Sequence, residues 1–338
     1  MFTTFFFYAL FNHFSLDVLV AGQEIPQPFT LNKQAQVIVI TSGKGGVGKT
    51  TTTANLGMCL ARSNYKVVLI DADIGLRNLD LLLGLENRVL YTAMDILNGI
   101  CRLDQALISD KRWNNLSVLC ISKNRQKQNL NRSQMVMLVD ALKPIYDFVL
   151  IDCPAGIDVG FFNAVGPAQE AIIVTTPEIT SIRDADRVIG LLEADHLRDV
   201  KLLVNRVRPE MIEREDMMSV ADVQEVLGLP LLGAIPEDPQ VIISTNRGEP
   251  LVWKNPNSVS GTAFQECAKR LVDNSTMDPL ILKHRVGWTP FSKNSKGQWF
   301  FFRCLWFKEY IAGVIHLQTQ WRLLTLSLQK TISICKNL

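Results

Sequence analysis

The chain has 338 residues, 47% hydrophobic and 20% charged, a composition typical of a globular protein with a sizeable core. Its formal net charge of +2 is uneven, because residues 276–338 carry nine Lys and Arg against two acids, a net +7, whereas the rest of the chain carries −5. This distribution predicts an anionic partner for the tail and argues against a basic nucleic-acid-binding face elsewhere.

Seven cysteines are scattered along the chain, and none forms a C-x-x-C pair. Their number is odd, and several lie within apolar stretches, such as Cys153 in "VLIDCPAG". This spacing supports neither a disulfide framework nor an iron–sulfur site. We interpret the cysteines as small buried residues in a reducing compartment.

The N-terminal segment, residues 1–35, is apolar but has no Lys or Arg before Lys33. It therefore lacks the basic region of a secretory signal and the Arg-rich character of an imported transit peptide. Asn12, His13 and Asp17 interrupt it before the ~18 apolar residues that a membrane-spanning helix needs. We treat residues 1–35 as an extension of unknown role.

From residue 36 to about residue 273, short apolar runs alternate with segments of helical length. Seven runs rich in Val, Ile and Leu predict strands buried on both faces of a parallel sheet: "QVIVI", "KVVLID", "LSVLCI", "DFVLID", "AIIVTT", "VKLLVN" and "PLLGAIP". Helices are predicted over residues 50–63, 133–142, 181–194, 218–227 and 258–272. This alternation predicts one doubly wound α/β domain over residues 36–275, with a mainly parallel sheet and helices on both faces.

The alternation stops in the tail, residues 276–338, which holds four of the six tryptophans. Within it, segment 293–310, "KNSKGQWFFFRCLWFKEY", combines basic and aromatic side chains. Each Lys or Arg near an anionic membrane surface contributes ~1 kcal/mol of binding free energy, and aromatic rings insert at the boundary between headgroups and acyl chains. We interpret this segment as membrane-targeting. The polar face of such a helix is thin, so the alternatives are a strand or hairpin packed on the domain, or sequence absent from the mature protein.

A phosphate-loop pattern, G-x-x-x-x-G-K-[ST], lies between the first predicted strand and the first predicted helix, the context that this motif requires. Glycines let backbone N–H groups approach phosphate oxygens, and the helix start adds a positive end. Lys49 is expected to meet the β- and γ-phosphates, and Thr50 to bind Mg²⁺ through its hydroxyl. The predicted phosphate-binding residues are Gly43, Lys44, Gly45, Gly46, Val47, Gly48, Lys49, Thr50 and Thr51.

Two predicted strands end in aspartate, Asp71 in "VVLID" and Asp152 in "YDFVLID". The carboxyl ends of parallel strands meet at one edge of a sheet, where nucleotides bind. A strand-end Asp is by itself more often a cap or turn former. Beside a phosphate loop, however, we expect Thr50, Asp71 and Asp152 to form a magnesium site.

Several stretches resemble the MinD family of ATPases, which positions the division site in bacteria and plastids. They cover residues 37–272 with no visible gap: "SGKGGVGKTT", "IDADIGLRNLDLLLGLENRV", "DKRW", "IDCPAGID", "TTPEITSIRDADRV", "VNRVRP" and "IPEDPQVIISTNRGEP". The sequences "LLLGLENRV", "CRLDQALISDKRW" and "CISK" are similar to those of the plastid branch in particular.

The resemblance implies roles for individual residues. The first lysine of the deviant loop K-G-G-x-G-K-[ST], here Lys44, would cross to a partner subunit and touch its nucleotide, as an arginine finger does. Asp73 would orient the attacking water, so the catalytic set becomes Lys44, Lys49, Asp73 and Asp152. The residues expected to contact adenine are Asn205, Arg206, Pro236, Glu237 and Asp238. A polar strand exit and a turn are the alternative interpretation of that last group.

The resemblance also implies an activity: a slow, partner-stimulated ATPase that converts ATP and water to ADP and phosphate, with Mg²⁺. ATP would join two subunits, the homodimer would bind an anionic membrane through its tails, and a MinE-like activator would release it. Other division factors are expected, and no specific nucleic acid. The expected location is the chloroplast stroma and inner envelope for a plastid-encoded protein, or otherwise the bacterial cytoplasm and inner membrane.

Two alternatives share the same loop. A ParA-like partition ATPase would bind DNA non-specifically, which the −5 net charge outside the tail argues against. An iron–sulfur carrier or reductase would need paired cluster cysteines, which the spacing does not offer.

Overall fold

The computed structural model describes residues 35–73, 78–122 and 130–278. They all lie within a single compact unit of the chain. The N-terminal segment up to residue 34 and the predicted membrane-targeting segment 293–310 lie outside the described residues. Among the helices that are described, none is both long and apolar enough to cross a membrane.

The described residues form one sheet of eight strands in the order β3-β4-β2-β5-β1-β6-β7-β8. All neighbouring strands are parallel except β3 and β4, which pair antiparallel at one edge. The strands are β1 (Gln36–Thr41), β2 (Val67–Asp71), β3 (Ile108–Ser109), β4 (Leu116–Cys120), β5 (Phe148–Asp152), β6 (Glu170–Thr175), β7 (Asp199–Val207) and β8 (Leu231–Pro236).

The helices follow the strands in a doubly wound pattern. They are α1 (Lys49–Arg62), α2 (Leu79–Leu82), α3 (Ala93–Leu97), α4 (Leu103–Ala106), α5 (Arg132–Leu142), α6 (Val159–Val165), α7 (Ile179–Ala194), α8 (Pro209–Glu213), α9 (Val220–Leu227), α10 (Pro239–Asn246), α11 (Leu251–Lys254) and α12 (Val259–Val272). A single 3₁₀ turn, Glu86–Arg88, follows α2.

The sheet has a hydrophobic core on each face, which explains why its strands are apolar at every position. Val37 and Val39 of β1 lie in the core shared with α5, α6, α7 and α9. Ile38 and Ile40, which point to the opposite face, lie in the core shared with α1, α2, α11 and α12. Alternate side chains of a strand point to opposite faces, so a strand covered on both sides is apolar throughout. The predicted α/β fold is confirmed.

The seven predicted strands and five predicted helices are all present, with helix ends within two residues of the predicted positions. Every start differs from its predicted position by one or two residues. α9 and α12 begin later than predicted because Ser219 and Ser258 cap them through their hydroxyls instead of belonging to those helices. The prediction missed the two-residue strand β3 and seven short helices, none longer than eight residues: α2, α3, α4, α6, α8, α10 and α11. Segments this short contain too few turns to show a period.

Candidate functional site

The loop between β1 and α1 lies at the carboxyl edge of the sheet and packs tightly against α7 and β7. Gly46 and Gly48 adopt φ angles of 78° and 102°, in the left-handed region that favours glycine. Gly43 contacts the backbone of Asp184 in α7 so closely that a Cβ would overlap it. The glycine spacing of the motif thus matches the conformation and the packing of the loop.

Lys49 points into the loop. Its side chain is buried, and its Nζ donates to Ser42 Oγ at 2.9 Å, while that hydroxyl donates to the Lys44 carbonyl at 2.8 Å. Lys49 also lowers the pKa of Asp152 through its charge, which places its ammonium near the end of β5. Lys49 is therefore a cation held at the point where the loop and the strand-end carboxylate meet.

Asp152, at the end of β5, is connected to the start of α1. Its carboxylate has a side-chain hydrogen bond with Thr50 and accepts one from Thr53 Oγ1 at 3.3 Å. Burial raises the pKa of Asp152 to about 6, although these hydrogen bonds and the charge of Lys49 oppose that rise. Thr50 and Asp152, which the sequence predicts as magnesium ligands, therefore lie next to each other.

Asp71 lies beside Asp152 on the neighbouring strand, since the two residues are partners in the β2–β5 register. It is buried and accepts the N–H groups of Asp73 at 3.1 Å and Leu79 at 3.2 Å. Burial, reinforced by the charge of Asp152, raises the pKa of Asp71 to about 7. Asp73 raises the pKa of Asp152, so it also lies near the edge.

This set of oxygen atoms fits Mg²⁺. The ion binds proteins through one or two carboxylates and completes its shell with water and phosphate oxygens. Two adjacent buried carboxylates with raised pKa values are destabilised in their charged forms, and a divalent cation would relieve that. Thr50, Asp152 and Asp71 therefore offer oxygen atoms that suit Mg²⁺, and their role as its ligands stays a prediction.

Lys44 lies on the outside of the same loop. Its Nζ contacts Glu178 Oε2 at 2.9 Å and Thr180 Oγ1 at 3.2 Å, both at the start of α7. The side chains of Lys44 and Glu178 are 40% and 53% exposed. The two lysines of the loop thus occupy different environments, one buried against the strand ends and one at the surface.

Asn205 contacts the loop directly. Its Nδ2 donates to the Val47 carbonyl at 2.7 Å, and it lies against the position that a Cβ of Gly48 would take. Arg206 is exposed and has a φ of 55°. Both residues belong to the predicted adenine-contacting group, and Asn205 reaches the phosphate loop itself.

The turn of Pro236, Glu237 and Asp238 follows β8 at the same edge. Its side chains already have partners within the protein: Glu237 forms an ion pair with Arg208, and Asp238 accepts the Gln240 N–H at 2.8 Å to cap α10. The ion pair with Arg208 lowers the pKa of Glu237. These two side chains are engaged in holding the turn, and its main chain is bonded as well, since the Glu237 N–H donates to the Val207 carbonyl at 2.9 Å.

Several residues around the site were not predicted from the sequence. Ser42 accepts a hydrogen bond from Lys49, and Thr53 donates one to Asp152. Of these two, only the position of Thr53 could have been inferred from the sequence, because it lies one helical turn after Lys49 on the same side of α1. Glu178 and Thr180 hold Lys44 from more than 130 positions away in the sequence. Of the cysteines within the described residues, all five are free thiols, and burial raises the pKa of Cys153 to about 12.

A parallel sheet that presents a phosphate loop, a buried lysine and strand-end aspartates at one edge defines the class of P-loop nucleoside triphosphatases. A family model described as "ParA: NUBPL iron-transfer P-loop NTPase" matches residues 33–272. Among curated relatives, a MinD from Oltmannsiellopsis viridis is 72% identical over 250 residues, covering 74% of this chain and 79% of that protein. The chloroplastic MinD homologue of Arabidopsis thaliana is 59% identical over 263 residues, covering 76% and 81%.

Solved structures agree. The MinC:MinD complex of Aquifex aeolicus matches with 47% identity and a TM-score of 0.67 over 72% of this chain and 98% of that chain. MinD from Pyrococcus horikoshii with Mg-ADP matches with 34% identity and a TM-score of 0.64 over 70% and 96%. This chain belongs to the MinD family of septum-site-determining proteins, within the broader ParA group of P-loop NTPases.

Proposed function

We propose that this protein is a Mg-ATP-dependent switch ATPase that dimerises with ATP, binds an anionic membrane as a dimer and positions the division site of a plastid. Hydrolysis to ADP and phosphate is slow and is stimulated by a MinE-like activator, which releases the protein from the membrane. A MinC-like protein is a further partner, by analogy with the complex from Aquifex aeolicus.

The contrast between Lys44 and Lys49 carries this proposal. Lys49 is buried near Asp152, where it can serve the nucleotide of its own subunit. Lys44 is held at the surface by an exposed ion pair with Glu178 and an exposed hydrogen bond to Thr180, and exposed ion pairs contribute about 0–1 kcal/mol. Lys44 can therefore exchange Glu178 for an anion on a second subunit at little cost, as a cation delivered in trans requires.

The magnesium and hydrolytic roles follow from the carboxylates. Thr50 and Asp152 would hold Mg²⁺, with Asp71 beside them, and the ion would neutralise charge on the β- and γ-phosphates. Asp73 would orient the attacking water. ATP is favoured as the nucleotide because the MinD of Pyrococcus horikoshii carries Mg-ADP.

Membrane attachment and location rest on sequence and relatives. The tail carries a net charge of +7, and its segment 293–310 would contact anionic lipids. Dimerisation would bring two tails to one surface, so that two weak membrane affinities combine. The chloroplastic relative from Arabidopsis thaliana supports a plastid location, on the stromal side of the inner envelope.

Flotation of the full chain with anionic liposomes tests the switch. We expect binding with Mg-ATP and little binding with Mg-ADP, and we expect Lys44→Ala to abolish the difference. Lys111→Ala is the matched control, since Lys111 is exposed and bonds to the Gly84 carbonyl at 2.9 Å away from the loop. Equal binding with both nucleotides would refute the switch. Tight, salt-sensitive binding of the ATP form to duplex DNA would favour a partition ATPase instead.

A further inference from the structure

β7 contains a bulge directly beside the phosphate loop. In its register with β8, Val204 is opposite Ala234 and Val207 is opposite Pro236, so β7 has one residue more than β8 over this stretch. Arg206, within the bulge, takes a φ of 55°, which a non-glycine residue rarely adopts. Bulges near active sites often serve to re-aim a side chain.

The side chain beside the bulge is that of Asn205, and it reaches the loop. Its Nδ2 donates to the Val47 carbonyl at 2.7 Å across 158 positions of sequence, and the residue is only 8% exposed. The same nitrogen lies 2.4 Å from the position that a Cβ of Gly48 would take, closer than two such atoms approach. Glycine at position 48 is therefore required twice, by its φ of 102° and by the approach of Asn205.

We propose that Asn205 is a positioning residue for the phosphate loop. The peptide between Val47 and Gly48 is planar and trans, so its C=O and N–H point in opposite directions within the plane, and fixing the carbonyl toward Asn205 directs the Gly48 N–H away from Asn205. Backbone N–H groups of such loops are the donors that bind phosphate. By holding the Val47 carbonyl, Asn205 sets the direction of the Gly48 N–H, which can donate a hydrogen bond to phosphate, before nucleotide binds.

This role differs from contact with adenine, which the family resemblance implies for the same residue. A contact with adenine affects the affinity only for ligands that contain a base, whereas a correctly positioned phosphate loop affects the affinity for any polyphosphate. The inference rests on nucleotide binding at this loop, but it does not depend on dimerisation, hydrolysis or membrane attachment.

The test compares Mg-ATP with inorganic tripolyphosphate, which has no base, by calorimetric titration of the full chain. Asn205→Ala should weaken both ligands by about tenfold, the loss expected for one buried hydrogen bond. Asn205→Leu, which is close in size, removes the donor and adds no charge, should weaken both by a similar factor. Asn115→Ala is the matched control, because it removes amide-to-carbonyl bonds to Ala61 and Tyr65 at the far end of α1.

The possible outcomes separate the roles. Weaker ATP binding with unchanged tripolyphosphate binding would make Asn205 a base contact only and overturn the proposal. A lower melting temperature with unchanged affinity for both ligands would make it merely structural and would also overturn it. If Asn205→Ala does not fold, Asn205→Leu decides. Failure of the wild-type chain to dimerise with ATP would refute the switch and leave this comparison intact.

Discussion

The adjacent carboxylates Asp71 and Asp152 predict that the nucleotide-free protein loses stability as pH rises. Burial raises the pKa of Asp152 from 3.8 to about 6 and that of Asp71 from 3.8 to about 7. The folded state therefore holds protons that the unfolded state has released between about pH 4 and pH 7. Stability from these groups is present below pH 4 and falls as pH rises through the folded pKa values.

Asp152→Asn should remove most of the penalty at this position. A pKa raised from 3.8 to about 6 corresponds to about 3 kcal/mol at pH values above both. Asparagine keeps only part of the hydrogen bonding with Thr50 and Thr53, so we expect a net gain of about 2 kcal/mol at pH 8. In a domain of this size that gain raises Tm by about 4–8 °C.

The assay is urea unfolding of the full chain without nucleotide and with a chelator, at about pH 5 and about pH 8. The gain should be larger at pH 8, and Mg-ADP should stabilise the wild-type protein more than Asp152→Asn, because that variant would lack a proposed magnesium ligand. Asp140→Asn is the control, because the Asp140 side chain is 56% exposed on α5. A variant less stable than wild type at pH 8, or an equal gain at both pH values, would refute the reasoning.

Four further substitutions test the loop and its contact with Glu178. Lys44→Ala should keep nucleotide binding by the monomer but lose ATP-dependent dimerisation in light scattering, whereas Lys49→Ala should weaken Mg-ADP binding in calorimetry by about 10–100-fold. Glu178→Gln should leave the dimer intact or tighten it by about fivefold at most, because the exposed ion pair is weak. Loss of the dimer would show that Glu178 does more than hold Lys44 in the monomer. Gly43→Ala should cost about 1–3 kcal/mol in urea unfolding, since its Cβ would overlap the Asp184 backbone.

The sequence predicts those parts of the site that depend on neighbours along the chain. The glycines, Lys49 and Thr50 are recognisable because loop conformation and helix start are local properties. Asp71 and Asp152 are recognisable because parallel strands end at the same edge. The fold follows for a similar reason, since strands covered on both faces are apolar at every position.

The unpredicted parts depend on contacts between distant residues. The partner of Lys44 lies 134 positions away, and the loop contact of Asn205 spans 158. The bulge of β7 places Arg206 at a positive φ, and arginine has no preference for that region that a sequence pattern could reveal. The resemblance indicates that these residues matter, but it does not indicate which neighbour each one contacts.

These contacts divide the loop into a fixed part and a movable part. Gly43 packs on the backbone of α7, and Val47 is held by the buried amide of Asn205, so moving either disrupts close packing or leaves a buried polar group unpaired. Lys44 is held by an exposed ion pair that contributes about 0–1 kcal/mol. A change of partner at Lys44 therefore requires no rearrangement of the phosphate-binding backbone. In the proposed dimer, Lys44 would turn to the second subunit while the loop keeps the conformation proposed to bind the nucleotide of its own subunit.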